Sequence, residues 1–169
     1  MRVADSITSF GGPRILLPAD SAHLWHGASD QWDDPHGNRE DHYALACDAG
    51  LLGTIEPYDV PLVVLGSDPG DLRYQAMADG HCFWVWIYGE TEQDVRRLAL
   101  EAFDANSWSE SMRVELAGRY VTIDAAVPWA DVQECLETHF EPGEWDVGFT
   151  YIERGETAAE VYSFRRASS

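Results

Sequence analysis

The stretch Cys82-Phe83-Trp84-Val85-Trp86-Ile87-Tyr88 is apolar at every position. Phe83, Val85 and Ile87 alternate with Trp84, Trp86 and Tyr88, so both faces of an extended chain are apolar here. A strand with one wet face shows polar residues at every second position, and this one does not. It reads as a central strand covered on both sides. The molecule therefore needs a layer above this strand and a layer below it.

The next segment supplies one layer. Thr91 is a good N-cap, and Glu92 and Asp94 place acids in the first turn, where they favour the helix dipole. Val95, Leu98, Ala99, Ala102 and Phe103 form one apolar stripe over Glu92 to Phe103. Further on, Met112 to Leu116 and Tyr120 to Ile123 read as strands joined by a hairpin turn at Ala117-Gly118-Arg119. Trp129, Val132, Leu136 and Phe140 follow Pro128 and predict a second amphipathic helix. Trp145 to Ile152 and Ala158 to Phe164 suggest a final hairpin around Arg154-Gly155.

Upstream, Gly11-Gly12-Pro13 marks a turn, and Arg14 to Leu17 reads as a strand closed by Pro18. Asp20 or Ser21 caps a short helix through Leu24, Trp25 and His26, ended by Gly27. Asp41 to Ala49 is a second short helix, with Tyr43, Ala46 and Cys47 on one face. Strands are expected at Leu51 to Glu56, Pro61 to Leu65 and Leu72 to Met77. Helices and hairpins mixed in this order predict an α+β fold, with a mostly antiparallel sheet and two main amphipathic helices packed on it. Residues 1–169 are expected to form one domain.

Charge narrows the partners. The chain carries 30 Asp and Glu against 11 basic residues, a formal net charge of −19, and every basic residue is Arg. At 45% apolar it is too rich in core residues for a disordered acidic tail. Binding of nucleic acid or an anionic membrane surface is not expected, because phosphate binding needs positive charge. No run of apolar residues is long enough for a membrane-spanning helix. The Met1-Arg2-Val3-Ala4-Asp5 start lacks the pattern of a signal peptide, so a cytoplasmic location is expected. Cys47, Cys82 and Cys135 form no CxxC pair, which argues against a disulfide framework or a zinc ribbon.

The acids cluster. Asp30 to Asp41 (D-Q-W-D-D-P-H-G-N-R-E-D) holds five of them and one Arg, in a stretch rich in turn formers. Long loops of this kind tend to carry function or to be disordered. Further runs stand at Glu141 to Asp146 and Glu153 to Glu160. Such runs read either as solvated faces or as an attractive surface for a basic partner. Trp32 lies inside the first run without a periodic apolar partner. It either anchors a protein interface or folds back to cover the sheet. The candidate binding residues are Asp30, Trp32, Asp33, Asp34, Glu40 and Asp41.

Catalytic signatures are missing: there is no GxGxxG, P-loop, GxSxG or HExxH. His23 and His26 are three apart, and with Asp33, His36 or His42 they could make a metal site, but the spacing matches no metal signature. The other reading is that they pack or cap a short helix. Cys82 and Cys47 read as inert core, and Cys135 has no base placed beside it by sequence. Neither a cofactor nor a metal is expected.

One ordered set of segments runs Gly11-Gly12-Pro13, Leu16-Leu17-Pro18 and Trp25-His26-Gly27, then Asp41, Tyr43, Ala46, Cys47, Gly50, Gly53 and Ile55. Leu65-Gly66, Asp68-Pro69 and Trp86-Ile87-Tyr88 complete the set. Taken in this order, these segments resemble the immunity protein 21 family of bacterial polymorphic toxin systems. The likeness runs from Phe10 to Phe103, and the segment after Asp104 matches no pattern. The acidic insert, Ser67 and Val85 depart from it. The resemblance implies a small intracellular protein that neutralises one cognate toxin, typically the C-terminal domain of a larger secreted protein. It implies no catalysis and carries over no functional residues. The expectation is a stoichiometric inhibitor, not an enzyme, whose acids meet a basic, nuclease-like toxin face. The alternatives are a small metal-dependent hydrolase and an acidic adaptor without a toxin.

Overall fold

In the computed structural model, residues 1–9, 11–28, 41–57, 60–66 and 69–168 are described. The elements run β1 (Arg2–Val3), β2 (Ser6–Ser9), β3 (Arg14–Pro18), α1 (His42–Asp48), β4 (Leu52–Ile55), β5 (Leu62–Leu65), β6 (Gly70–Met77) and β7 (Gly80–Tyr88). They continue with α2 (Glu92–Ala105), β8 (Glu110–Asp124), β9 (Glu134–Arg154) and β10 (Thr157–Arg166). Short 3-10 turns stand at Ala22–Leu24 and Trp129–Asp131. The strands form one sheet in the order β2-β6-β7-β10-β9-β8-β3-β5-β4, antiparallel throughout, and β1 pairs in parallel with the start of β9.

The expected α+β balance with two main helices is wrong. Of the described residues 54% are strand and 18% helix, so the fold is dominated by its sheet. The second amphipathic helix does not form. After the turn at Trp129–Asp131 the chain becomes β9, 21 residues long. Leu136, Thr138 and Phe140 are buried while Glu137, His139 and Glu141 are exposed, which is the alternation of a strand. The helical spacing of Val132, Leu136 and Phe140 concealed it, because Thr138 is polar yet buried.

The hairpin at Ala117-Gly118-Arg119 is absent too. β8 runs straight through these residues, 15 in all, and pairs with β9 on both sides of them. Leu116 faces Gly143 while Gly118 faces Phe140, so the register slips and both strands bend. Gly118 (φ +88°) and Gly143 (φ +142°) take backbone angles that L side chains avoid, which locates the bend. Beyond it the sheet curls over itself. Edge strand β2 touches β9 and β8, although they stand four and five places from it in the order. The final hairpin forms as expected, with Arg154 paired to Thr157 around Gly155 (φ +61°).

The curled interior holds one large core, including Leu16, Leu72, Phe83, Phe140, Trp145 and Phe164. Two smaller cores lie on the outer faces. One sits beneath α2, where Cys82, Trp84 and Val161 meet Val95, Ala99 and Phe103. The other sits beneath α1 and the 3-10 turns, where Ile15, Leu17, Val64 and Ile123 meet Trp25 and Ala46. Cys82 to Val85 thus have the two covered faces that the composition demands, whereas Trp86 and Ile87 are half-buried and Tyr88 is exposed. Full burial of one such aromatic or aliphatic side chain contributes about 1.5–3 kcal/mol.

Two polar contacts tie the curled sheet across its interior. Arg14 on β3 is fully buried, and its guanidinium donates to the carbonyl of Gly70 at the start of β6. Burial pulls its ionisation down, while Tyr162, Asp124, Glu160 and Asp71 pull it back up. The Tyr162 hydroxyl donates to the carbonyl of Gly66, just after β5.

Candidate partner-binding surface

Of the six candidate residues, Asp30, Trp32, Asp33, Asp34 and Glu40 lie outside the described residues. Asp41 is described. It is the N-cap of α1, and its Oδ1 accepts from the Ala44 amide at 3.0 Å.

The chain on both sides of the acidic run is firmly fixed. Trp25 is 1% exposed, and its Nε1 donates to the Ala125 carbonyl at 3.1 Å. Its own carbonyl accepts from Trp129 at 3.0 Å. Gly27 has φ +64°, and a Cβ there would stand 2.6 Å from both the Ala126 oxygen and the Pro128 nitrogen. The Ala28 amide donates to Ala126 at 3.0 Å, and the Tyr43 amide donates to Gly27 at 3.3 Å. His42 is buried and stacks on Trp25 (5.1 Å) and on His26 (5.2 Å). Its Nδ1 accepts from the His26 amide at 3.1 Å, so that nitrogen carries no proton. His26 is therefore part of a stack, and among the described residues no three His, Cys, Asp or Glu side chains gather as metal ligands.

The segments that carry the family resemblance are mostly structural. Tyr43 lies over Gly12, where a Cβ would meet its hydroxyl at 2.7 Å. A Cβ on Gly53 would stand 2.6 Å from the Ala49 carbonyl oxygen, and one on Gly66 would drive into that of Gly50. These close approaches seat α1 against the sheet.

The later acidic runs are broken up by strand alternation. Trp145 turns inward at 4% exposure, while Glu144 and Asp146 turn out to meet Arg113. The Arg113 Nε to Asp146 Oδ1 distance is 2.8 Å. Glu160 is buried and belongs to the surroundings of Arg14. A groove of about 750 Å³ on the outer face of the sheet is lined by Trp108, Arg113, Asp146, Ser163 and Arg165. Arg113 pairs with Asp146 there, and Arg165 meets Asp79, donates to the Phe103 carbonyl at 2.8 Å and lies 4.0 Å over the Phe103 ring.

The cysteines divide. Cys82 is buried, and burial pushes its thiol up to about 12. Cys135 is buried and shifted upward for the same reason. Cys47, read from sequence as inert core, is exposed.

One surface feature was not foreseen. Tyr88 and Tyr151 are 38% and 45% exposed, at the ends of β7 and β9. The Tyr151 hydroxyl donates to Glu153 Oε2 at 3.4 Å. The same Glu153 carboxylate is the chief cause that pushes the ionisation of the Tyr88 phenol up. Sequence placed Tyr88 within a fully covered strand and gave no signal for this group.

No curated protein and no solved structure matches the chain. The family model for Immunity protein 21 matches residues 5–158. The match extends well past Phe103, so the long bent strands that carried no recognisable pattern lie within it. The chain belongs to the immunity protein 21 family.

Proposed function

We propose that this protein binds one cognate toxin domain in the cytoplasm and neutralises it by stoichiometric occlusion, without catalysis. Family membership over residues 5–158 is the observation that carries this reading. The net charge of −19 supports a basic toxin face as the target, of the kind that nucleases present. Long-range attraction then raises the association rate and weakens with salt.

The Asp30 to Asp41 segment is the proposed contact. The described residues that flank it, Trp25, Gly27 and Asp41, are held in place by hydrogen bonds. The test is a calorimetric titration with the toxin domain encoded beside it, at two salt concentrations. The expected result is tight one-to-one binding that weakens as salt rises. No binding at either salt overturns the reading. Reversing charge at Asp33, Asp34 and Glu40, while keeping the capping Asp41, should slow association and flatten its salt dependence. Unchanged association rates would remove the segment from the interface and leave the inhibitor intact.

A further inference from the structure

Large apolar side chains are seldom left in water beside one another without a use. Among the described residues the exposed large side chains of this kind are Met1, Val3, Leu24, Leu51, Tyr88 and Tyr151. Tyr88 and Tyr151 come from different strands, yet the Tyr151 hydroxyl bonds Glu153 and Tyr88 shares a cross-strand row with that carboxylate.

A β-bulge brings them together. Along β10 and β7 the register is regular: Tyr162 faces Phe83 and Glu160 faces Val85. It then slips, with Ala159 opposite Trp86 and Ala158 opposite Tyr88, leaving Ile87 as the extra residue. Without the slip, Tyr88 would follow Trp84 and Trp86 onto the face beneath α2. With it, Tyr88 joins the opposite face, in one cross-strand row with Ala158 and Glu153. Tyr151 faces Glu160 in the next row. Ala158 has a small side chain and is fully buried, so Tyr88 and Glu153 can meet across it. Bulges commonly re-aim a side chain in this way at functional edges.

Two phenol rings beside a carboxylate suit one kind of guest, a guanidinium or ammonium group. The carboxylate supplies the ion pair, and the ring faces add cation–π attraction. The chain's own neighbouring cation is turned elsewhere, since Arg154 pairs with Glu101 of α2. Glu90, Glu110 and Glu156 are exposed on adjoining segments, so the surroundings also favour a cation.

We propose that Tyr88, Tyr151 and Glu153 form a receptor for an arginine or lysine side chain on the basic face of the partner protein. The proposal rests on the inhibitor reading above and adds a contact on separate elements from the acidic segment.

The experiment titrates the toxin domain encoded beside the gene with the wild type, with the double variant Tyr88→Ala/Tyr151→Ala, and with Glu153→Gln. All three substitutions fall on exposed positions, and circular dichroism and thermal melting check that the fold is kept. The double variant should bind roughly 30-fold more weakly or worse, the loss seen when an aromatic hot spot is truncated. Glu153→Gln should bind about tenfold more weakly, with a shallower salt dependence, as for loss of one charge-assisted contact. If both variants bind within threefold of a tightly binding wild type, the receptor is overturned and the inhibitor stands. If the wild type itself fails to bind, the inhibitor reading falls, and the receptor falls with it.

Discussion

The two outer faces of the sheet are covered in different ways. Over β7 and β10 lies α2, 14 residues long, with an uninterrupted apolar stripe and a cap at each end. Thr91 accepts from the Asp94 amide at its start, and Asn106, in the left-handed region at φ 49°, closes its end. Over β3, β5 and β8 lies a patchwork of α1, seven residues long, and two 3-10 turns. That cover is held by the Trp25 indole, the His26–His42 stack and backbone approaches possible only at glycine. The first cover depends on area and the second on shape. Nonspecific burial tolerates change, whereas close approaches fix position, and the flank fixed in position is the one that bears the acidic segment.

Breaking each flank in its own way tests this contrast. Phe103→Ala should cost about 3–5 kcal/mol, read by urea denaturation, because the side chain is fully buried under α2 and supports Arg165. Gly66→Ala adds one carbon to the α1 flank, against the backbone of Gly50, and should cost about 1–3 kcal/mol. A neutral outcome there would mean that the patchwork is as forgiving as α2. Matched cap removals sharpen the comparison further. Asp41→Ala and Thr91→Ala should each cost about 1 kcal/mol. Hydrogen exchange should separate them, with Asp41→Ala speeding exchange only in α1 and Thr91→Ala only in the first turn of α2. Exchange spreading across both flanks in either variant would contradict their independence.

The smallest expected effect belongs to neither flank. His81 lies in the interior between them, with its Nδ1 3.0 Å from the Tyr74 hydroxyl and with Phe140 and Trp145 against its ring. Burial, then the nearby His139, holds its ionisation below the usual histidine range. The folded chain therefore binds fewer protons than the unfolded one. Stability should be lost as pH falls through about 6.5, the ordinary histidine value, toward the lowered one. His81→Gln should shrink the difference between urea midpoints at pH 7.5 and 5.5. An unchanged difference would assign the acid sensitivity to other groups.

What the sequence conveyed follows the same division. The strand at Cys82 and the helix capped by Thr91 were legible because burial on both faces and a clean apolar stripe leave periodic marks. β8 was misread because its turn former, Gly118, bends the ladder near Gly143 without ending it, and the first half of β9 because the spacing of Val132, Leu136 and Phe140 mimics a helix. A lone sequence shows a turn former but not its partner across the sheet. The site was less legible. Asp41 stands at the start of the expected short helix and proves to be its cap, but the turning of Tyr88 depends on a slip against Ala158, about seventy positions away in number. The exposure of Cys47 likewise depends on which side of a seven-residue helix meets the sheet.

The bend has a consequence for how the chain reaches this form. β8 and β9 each serve both limbs of the curled sheet: their paired ends at Glu110 and Phe149 stand beside β10, and those at Thr122 and Leu136 lie toward β3. Neither limb has a complete set of hydrogen-bonding neighbours until the other has assembled. The molecule should therefore fold and unfold in one concerted step. With its pairings so distant along the chain, that step belongs to the slow, milliseconds-to-seconds class.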